Sequence, residues 1–578
     1  MKNKWLLIVV FLLGVFFRTS NLLQIPPSLY WEEIALGYDS YSILQTGKDH
    51  HGNLLPIVAF ESFGDWKPSL YFYYLVPFIA VFGATDLAIR LGAVTVGILF
   101  LLGIPFLAKE LKLNPVLALV IAAVSPWAIH FSRAAWESYL AATLIVWAIV
   151  FGLRATGSKQ GRALLFSSVL FGLSMYAYHA ARIIAPLLFA TIVALRLPVH
   201  LLVIRPKIIF KYLSQSYMQY LMPILIFTLM MLPLVIAVLR QDVSITHRFQ
   251  ETNIFSDISV IERSNSLKEM SNNSLLSRLL YHRFVLFGEE MLKNVFSYFT
   301  LDYLVLNGDM NLRHSTGFTG IIYPVELLFL LTGVVAVIKK SIRVSLLLFV
   351  WLAITLLPAS ITTPNPHALR TLIALPVFII WITEGIVSCY RYLVRFLSQF
   401  HSFALFKVSN QKVFNRAITV GVALLIIFPY LFSITGFWQY YSHVYPTQSE
   451  HDWQYGYSQL IASLAGADSQ TPLYISREFG RPAMYYWFYT KTDPKLVQEE
   501  NAIALKDQSE FLQYKNVRFY RSVSEIIPST GAVIALPITQ KTEVVSTLSE
   551  AGYSFSDQST VSDLTGKSIW SVIKVEDE

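Results

Sequence analysis

Two adjacent carboxylates, Glu32 and Glu33, open a polar stretch that also holds Asp65, two neighbouring histidines (His50, His51) and a lysine before a proline (Lys67-Pro68). The stretch reads LYWEEIALGYDSYSILQTGKDHHGNLLPIVAFESFGDWKPSLYFYY, residues 29–74. A carboxylate can take a proton from a hydroxyl, and an ammonium can neutralise a phosphate. If EEIALGYDSYSILQTG is helical, neighbouring side chains point about 100° apart, so only one of Glu32 and Glu33 faces a given cavity. Each residue also has a plain structural reading. Acids favour the positive end of a helix, proline suits a first helical turn, and Lys67 can snorkel towards lipid headgroups.

Further along, cations punctuate the ends of apolar runs. Arg133 follows SPWAIHFS, Arg182 sits in YAYHAARIIAP, and His247-Arg248-Phe249 lies early in a long polar interval. Arg313-His314 precedes another apolar run, and Pro366-His367-Ala368-Leu369-Arg370 leads into the next but one. A lone arginine at such a place is an ordinary lipid-phosphate anchor. Several of them beside carboxylates suit a substrate that is itself a lipid phosphate. The sequence has no Gly-rich phosphate loop, no HExxH and no DxD, which disfavours a nucleotide-sugar or ATP enzyme.

What must position these residues is a membrane. The chain has 578 residues, 54% hydrophobic and only 14% charged, with a mean hydropathy of +0.52. Soluble domains carry roughly 25% charged residues. Apolar segments follow the N-terminal one (MKNKWLLIVVFLLGVFFRTS, read as an uncleaved first span) at about 86–108, 113–130, 135–153, 163–179, 183–203 and 218–239. Four more lie at 320–338, 343–360, 368–390 and 417–437. Basic connections at 109–112, 154–162, 205–211, 339–343 and 391–416 belong in the cytoplasm by the positive-inside rule. The count closes if the segment 70–83, in SLYFYYLVPFIAVFG, lies in the outer interface or dips partway in rather than crossing. The expected fold is therefore a multi-span α-helical membrane protein of about eleven to thirteen transmembrane helices. Its N-terminus is cytoplasmic, and its large outer loops are 24–85 and 240–319. Residues 1–438 form the membrane domain. From 439 to 578 short alternating runs (PLYIS, VRFY, AVIALPI, SIWSVIKV) predict an extracytoplasmic α/β domain. The single cysteine, Cys389, rules out an intramolecular disulfide and any cysteine-based metal cluster.

The order of motifs is more telling than any one of them: a first span, then WEEIALGY, GKDHHGNLLP, WKPSLY and, late in the chain, PHALR before an LP-containing span. In this order the chain resembles the GT-C superfamily of polyprenyl-phosphate-sugar transferases. It is most similar to the bacterial and archaeal protein O-mannosyltransferase and aminoarabinose-transferase group, over roughly residues 1–440.

The resemblance implies an inverting glycosyltransferase that moves a sugar from a polyprenyl-phosphate carrier to an acceptor hydroxyl outside the cytoplasm. It makes Glu32 the general base, with Glu33 beside it, at a position where relatives commonly carry aspartate. It assigns Lys67, Arg248 and Arg370 to the donor phosphate, the last at a place where aminoarabinose transferases look to have tyrosine. Asp65, Arg133, Arg182, His247, His314 and His367 are candidate substrate-binding residues. Aminoarabinose transferases can bind zinc through a glutamate just before the lysine. Here that residue is Trp66, and Asp65 with His50, His51 or His247 is a poor substitute. No cofactor is required, and a divalent metal has no support in the sequence. The partners implied are the lipid-linked sugar, membrane lipids and an acceptor protein, glycolipid or cell-wall glycan, and no nucleic acid. Two other readings stay open: a transporter or flippase of lipid-linked sugars, and a ligase or polymerase using a diphosphate-linked glycan.

Overall fold

The computed structural model describes residues 2–156, 160–196, 206–242, 247, 250, 252–399, 411–465, 471–501, 506–507 and 510–577. It divides into two compact units. One comprises residues 1–20, 95–132 and 136–440, and the other 21–94, 133–135 and 441–578.

The first unit is helical. Six helices among the described residues of the chain are long and apolar enough to cross a membrane: Asp86–Glu110, Glu137–Arg154, Gln219–Leu239, Ile342–Ser360, Ala368–Ser398 and Lys412–His443. The chain is an integral membrane protein. Helix α1 (Lys2–Thr19) packs on Pro115–Val124 through a buried arginine. Arg18 donates to the carbonyls of Ala122 at 3.1 Å and Ala123 at 3.3 Å, where the partial negative charge at a helix C-terminus favours a cation. The segment expected to span at 113–130 is broken. Ser125 ends one helix at Val124 and caps the next, Pro126–Phe131. Pro126 lacks the N–H needed to continue the first helix, so composition alone overestimated this span. Helices Pro324–Lys340 and Leu375–Ser398 cross at Gly333 and Gly385. A methyl group at either would collide with the facing helix backbone, at Trp381 or Phe329.

The second unit joins the acid-bearing loop to the C-terminal tail. Helix α2 (Trp31–Thr46) starts with its two acids in the first turn and stops at Gly47, whose φ of 70° closes the cap. It is buried nearly all round, because three helices cover it: α3 (Leu70–Phe82), Pro482–Tyr489 and Pro494–Asn501. Gly37 lies where a larger residue would strike Ile89 and Phe488. At thirteen residues α3 is about 20 Å long, too short for a hydrocarbon core of about 30 Å.

The tail carries the expected strands. They form a six-stranded sheet in the order Gln513–Tyr514, Val517–Tyr520, Leu473–Ser476, Val533–Pro537, Ser568–Asp577, Tyr553–Ser562. Leu473–Ser476 runs parallel to both of its neighbours, and the other pairings are antiparallel. Tyr474, Ile534, Leu536, Val544, Leu548 and Ile573 make its core. The compact unit runs across the expected 438/439 boundary, because tail side chains are hydrogen-bonded into the loop. Tyr485 donates to the Leu29 carbonyl at 3.1 Å, and Tyr38 to that of Thr492 at 3.1 Å. Gln498 donates to Ser42, Thr46 and the Asp49 carbonyl at 2.9–3.0 Å. Each such bond contributes on the order of 1 kcal/mol, so the tail docks on the acid-bearing loop.

Candidate functional site

The acid loop supplies a defined constellation. After α2 the chain turns back through a hairpin, β1 (Ala59–Ser62) and β2 (Asp65–Pro68). Its two-residue turn, Phe63-Gly64, has φ of 61° and 80°, the primed geometry that matches strand twist. The hairpin delivers Lys67 to the start of α2, where its ammonium makes an ion pair with Glu32. The Lys67 side chain is 6% exposed and that of Glu32 is 31% exposed. The carboxylate thus keeps a face open while the lysine is enclosed. The Phe63 ring lies under both Lys67, at 5.5 Å, and Arg481, at 4.7 Å, and Arg481 is itself paired with Glu510. His50, Phe63, Arg481, Met484, Trp487 and Phe511 are among the residues lining a pocket beside this hairpin.

Glu33 has the opposite environment. It is fully buried, accepts the Ala135 N–H at 2.8 Å, and faces Arg90 at 3.3 Å. Burial pushes its carboxyl up to about 7, against the pull of Arg90 and of backbone N–H groups from Ala135 and Tyr30. Arg90 also donates to the carbonyls of Ser28 and Arg133. Glu33 and Arg90 therefore tie α2 to the 133–135 segment.

The other predicted residues fall into distinct places. Asp65 caps the hairpin by accepting the Trp66 N–H at 2.8 Å. Arg133 is fully buried and donates to the carbonyls of Ile25 at 2.8 Å and Asn21 at 3.0 Å, which braces the loop. His50 donates from Nδ1 to the buried Asp39 at 2.8 Å, and His51 is paired with Glu61. In the helical unit, Arg182 contacts His179 at 3.3 Å. Arg370 donates to the carbonyls of Thr363 and Pro364 at 2.6 and 2.8 Å. His314 and His367 converge on Asp309, whose carboxyl is held down near 2: burial pushes it up, but the two histidines and the Asn311 N–H outweigh that. His247 is half-buried, and Arg248 lies outside the described residues.

Sequence reasoning missed Arg90, Asp309, Arg481 and Glu510. Arg90 had a readable signal, a lone cation within the apolar run LAIRLGAV, which must find a partner when buried. Trp66, immediately before Lys67, stands opposite Glu61 in the hairpin register, and its indole offers no metal ligand.

The described residues form a multi-helical membrane protein with a C-terminal β-sheet domain, the fold class expected from the sequence. Among solved structures, the chain is similar to ArnT from Cupriavidus metallidurans in the apo state, with a TM-score of 0.52 and 12% identity over 99% of this chain and 98% of that one. It is equally similar to ArnT from the same organism bound to undecaprenyl phosphate, with a TM-score of 0.51 and 11% identity over the same shares. No protein-family model and no curated protein sequence matches the chain.

Proposed function

We propose that the chain is an inverting glycosyltransferase that moves a sugar from a polyprenyl-phosphate carrier to an acceptor hydroxyl on the outer side of the membrane. The observation that carries this reading is the pairing of a partly open Glu32 with an enclosed Lys67, on a fold shared with an ArnT that binds undecaprenyl phosphate.

Contact with an ammonium favours the ionised form of a carboxylate, which is the form a general base needs. Glu32 takes the proton of the acceptor hydroxyl as its oxygen bonds to the anomeric carbon. The bond from that carbon to the phosphate oxygen breaks, and the electron pair leaves on the lipid phosphate. Lys67 stabilises the negative charge that develops there. Attack opposite the leaving group inverts the anomeric centre. Arg248 and Arg370 are assigned the remaining phosphate charge on the family resemblance alone, and Glu33 orders the loop. No nucleotide and no metal enters this scheme. The outward placement of loop 24–85 and the tail rests on the distribution of basic connections.

The test is incubation of the purified full chain with a panel of radiolabelled polyprenyl-phosphate sugars, following release of label with and without acceptor extracts. Release from a monophosphate-linked donor is expected. Turnover of a diphosphate-linked donor alone would make the chain a ligase or polymerase instead.

A further inference from the structure

We propose that Asp309, His314 and His367 form a binding site for one divalent transition-metal ion of the zinc class. Asp309 and His314 lie in the irregular segment between Leu306 and the helix Pro324–Lys340. His367 immediately precedes the turn Ala368–Thr371. All three belong to the helical unit, and their coordinating atoms lie within 4.8 Å of one another.

The spacing is the central observation. His314 Nδ1 and His367 Nδ1 each stand 3.5 Å from the same atom, Asp309 Oδ2. That is longer than the 2.7–3.2 Å of an N–H···O hydrogen bond. It is close to the edge of a coordination tetrahedron, because ligands held at about 2.0–2.1 Å from zinc lie roughly 3.3–3.4 Å apart. Two imidazole nitrogens and one carboxylate oxygen are thus placed around a common point, not against each other.

The donors are also fixed from behind. Asp309 accepts the Asn311 N–H at 3.0 Å on Oδ1 and the Ala368 N–H at 2.8 Å on Oδ2, which sets the plane of its carboxylate. The His314 ring is wedged between Phe131, at 6.4 Å, and Trp136, at 5.2 Å. His130 donates from Nε2 to the carbonyl of Arg313 at 2.8 Å, anchoring the residue before His314. Such outer contacts orient ligands before an ion arrives. A cavity lined by Trp127, His130, Ser315 and Thr316 adjoins Asp309 and His314. Two imidazoles and one carboxylate suit zinc and its first-row neighbours, and not calcium or magnesium, which prefer oxygen.

A second trio, His50, His51 and Glu61, is equally compact, but its hydrogen bonds assign it differently. The Asn501 amide donates to the His50 carbonyl at 3.0 Å and meets His51 Nδ1 at 2.8 Å. That leaves the His51 proton on Nε2, directed at Glu61, as an ordinary hydrogen bond.

The experiment uses the full chain in detergent, freed of any affinity tag, stripped with chelator and titrated with zinc. Bound metal is counted by elemental analysis, and cobalt(II) substitution is followed by its visible absorption. One equivalent per chain is expected in the wild type and in His51→Gln, with a zinc-dependent rise in melting temperature. Asp309→Asn, His314→Gln and His367→Gln should each lose that equivalent and the rise. Monodispersity and helical content identify any variant that fails to fold, and the others then decide. No bound zinc in the wild type at micromolar concentrations would overturn the proposal. So would an equivalent that disappears in His51→Gln but persists in His367→Gln.

Discussion

The two clusters of ionisable residues, around Glu32 and around Asp309, are assembled on opposite principles. In the first, one loop folds on itself, so that a short hairpin brings a lysine against a carboxylate and the charges satisfy each other. In the second, a segment after residue 306 meets the turn before residue 368, and its histidines stand off from the carboxylate by more than a hydrogen bond. A pair already in contact is poised to exchange one partner for a substrate group. A trio held apart is poised to receive something between its members. The same residue types thus point to different chemistry once their separations are known.

The largest effect should come from the first cluster. Glu32→Gln removes the proton acceptor while nearly keeping volume, so turnover at saturating donor should fall by about 10²-fold or more with the fold intact. Glu32→Asp should retain substantial activity. Lys67→Ala should act chiefly on donor use, raising KM for the lipid-linked sugar, because it removes charge complementary to phosphate. Glu33→Gln should be much milder in turnover. A Glu33→Gln enzyme that is dead while Glu32→Gln works would exchange the roles of the two acids and undo the contrast drawn between them.

Glu33 sharpens the comparison in a second way, through stability. Its carboxyl titrates near 7 in the folded chain against an ordinary value of 4.5. The folded state therefore binds the proton more tightly than the unfolded state. The associated stability is fully present below pH 4.5 and is lost as pH rises through 7. The shift corresponds to about 3 kcal/mol. Melting temperature measured between pH 4.5 and pH 7.5 should fall in the wild type and be flatter in Glu33→Gln. A pH profile unchanged by this substitution would mean that Arg90 keeps Glu33 ionised throughout.

Local order explains what was legible in the sequence. The meeting of Glu32 with Lys67 was readable because WEEIALGY and WKPSLY sit in one loop. The helical membrane fold was readable from apolar length, and the tail strands from alternation. Asp309 was not readable, because NGDMNLRH has no period and its partner His367 lies in a separate turn whose distance along the chain says nothing about proximity. The break at Ser125-Pro126 was hidden by the apolar length around it, although the proline was in view. Arg133 read as a candidate for substrate binding, and only the structure reveals that its Nε and Nη2 donate to the carbonyls of Ile25 and Asn21. The docking of the tail on α2 was illegible for another reason: Tyr485 and Trp487 read equally well as core residues of an isolated domain.

The smallest effect concerns Phe63, which holds a left-handed φ of 61° at the tip of the hairpin while its ring supports Lys67 and Arg481. A non-glycine residue there costs roughly 1–2 kcal/mol of backbone strain, while the cation–π contacts return about 2 kcal/mol for the enclosed Lys67 and about 1 kcal/mol for the more exposed Arg481. In Phe63→Gly the lost contacts outweigh the relieved strain, leaving it less stable than wild type by roughly 1–2 kcal/mol. Phe63→Ala loses the ring as well but keeps the strain, so it should be less stable than Phe63→Gly by roughly 1 kcal/mol. Comparing the two variants isolates the backbone term, since neither has an aromatic side chain. Both should also raise KM for the lipid-linked donor, because Lys67 loses one of the groups that hold it. Paired thermal melts and donor titrations are the measurement. If Phe63→Ala is as stable as Phe63→Gly, the turn carries no strain. If donor KM is then also unchanged, the aromatic floor under Lys67 plays no part in presenting it to a phosphate.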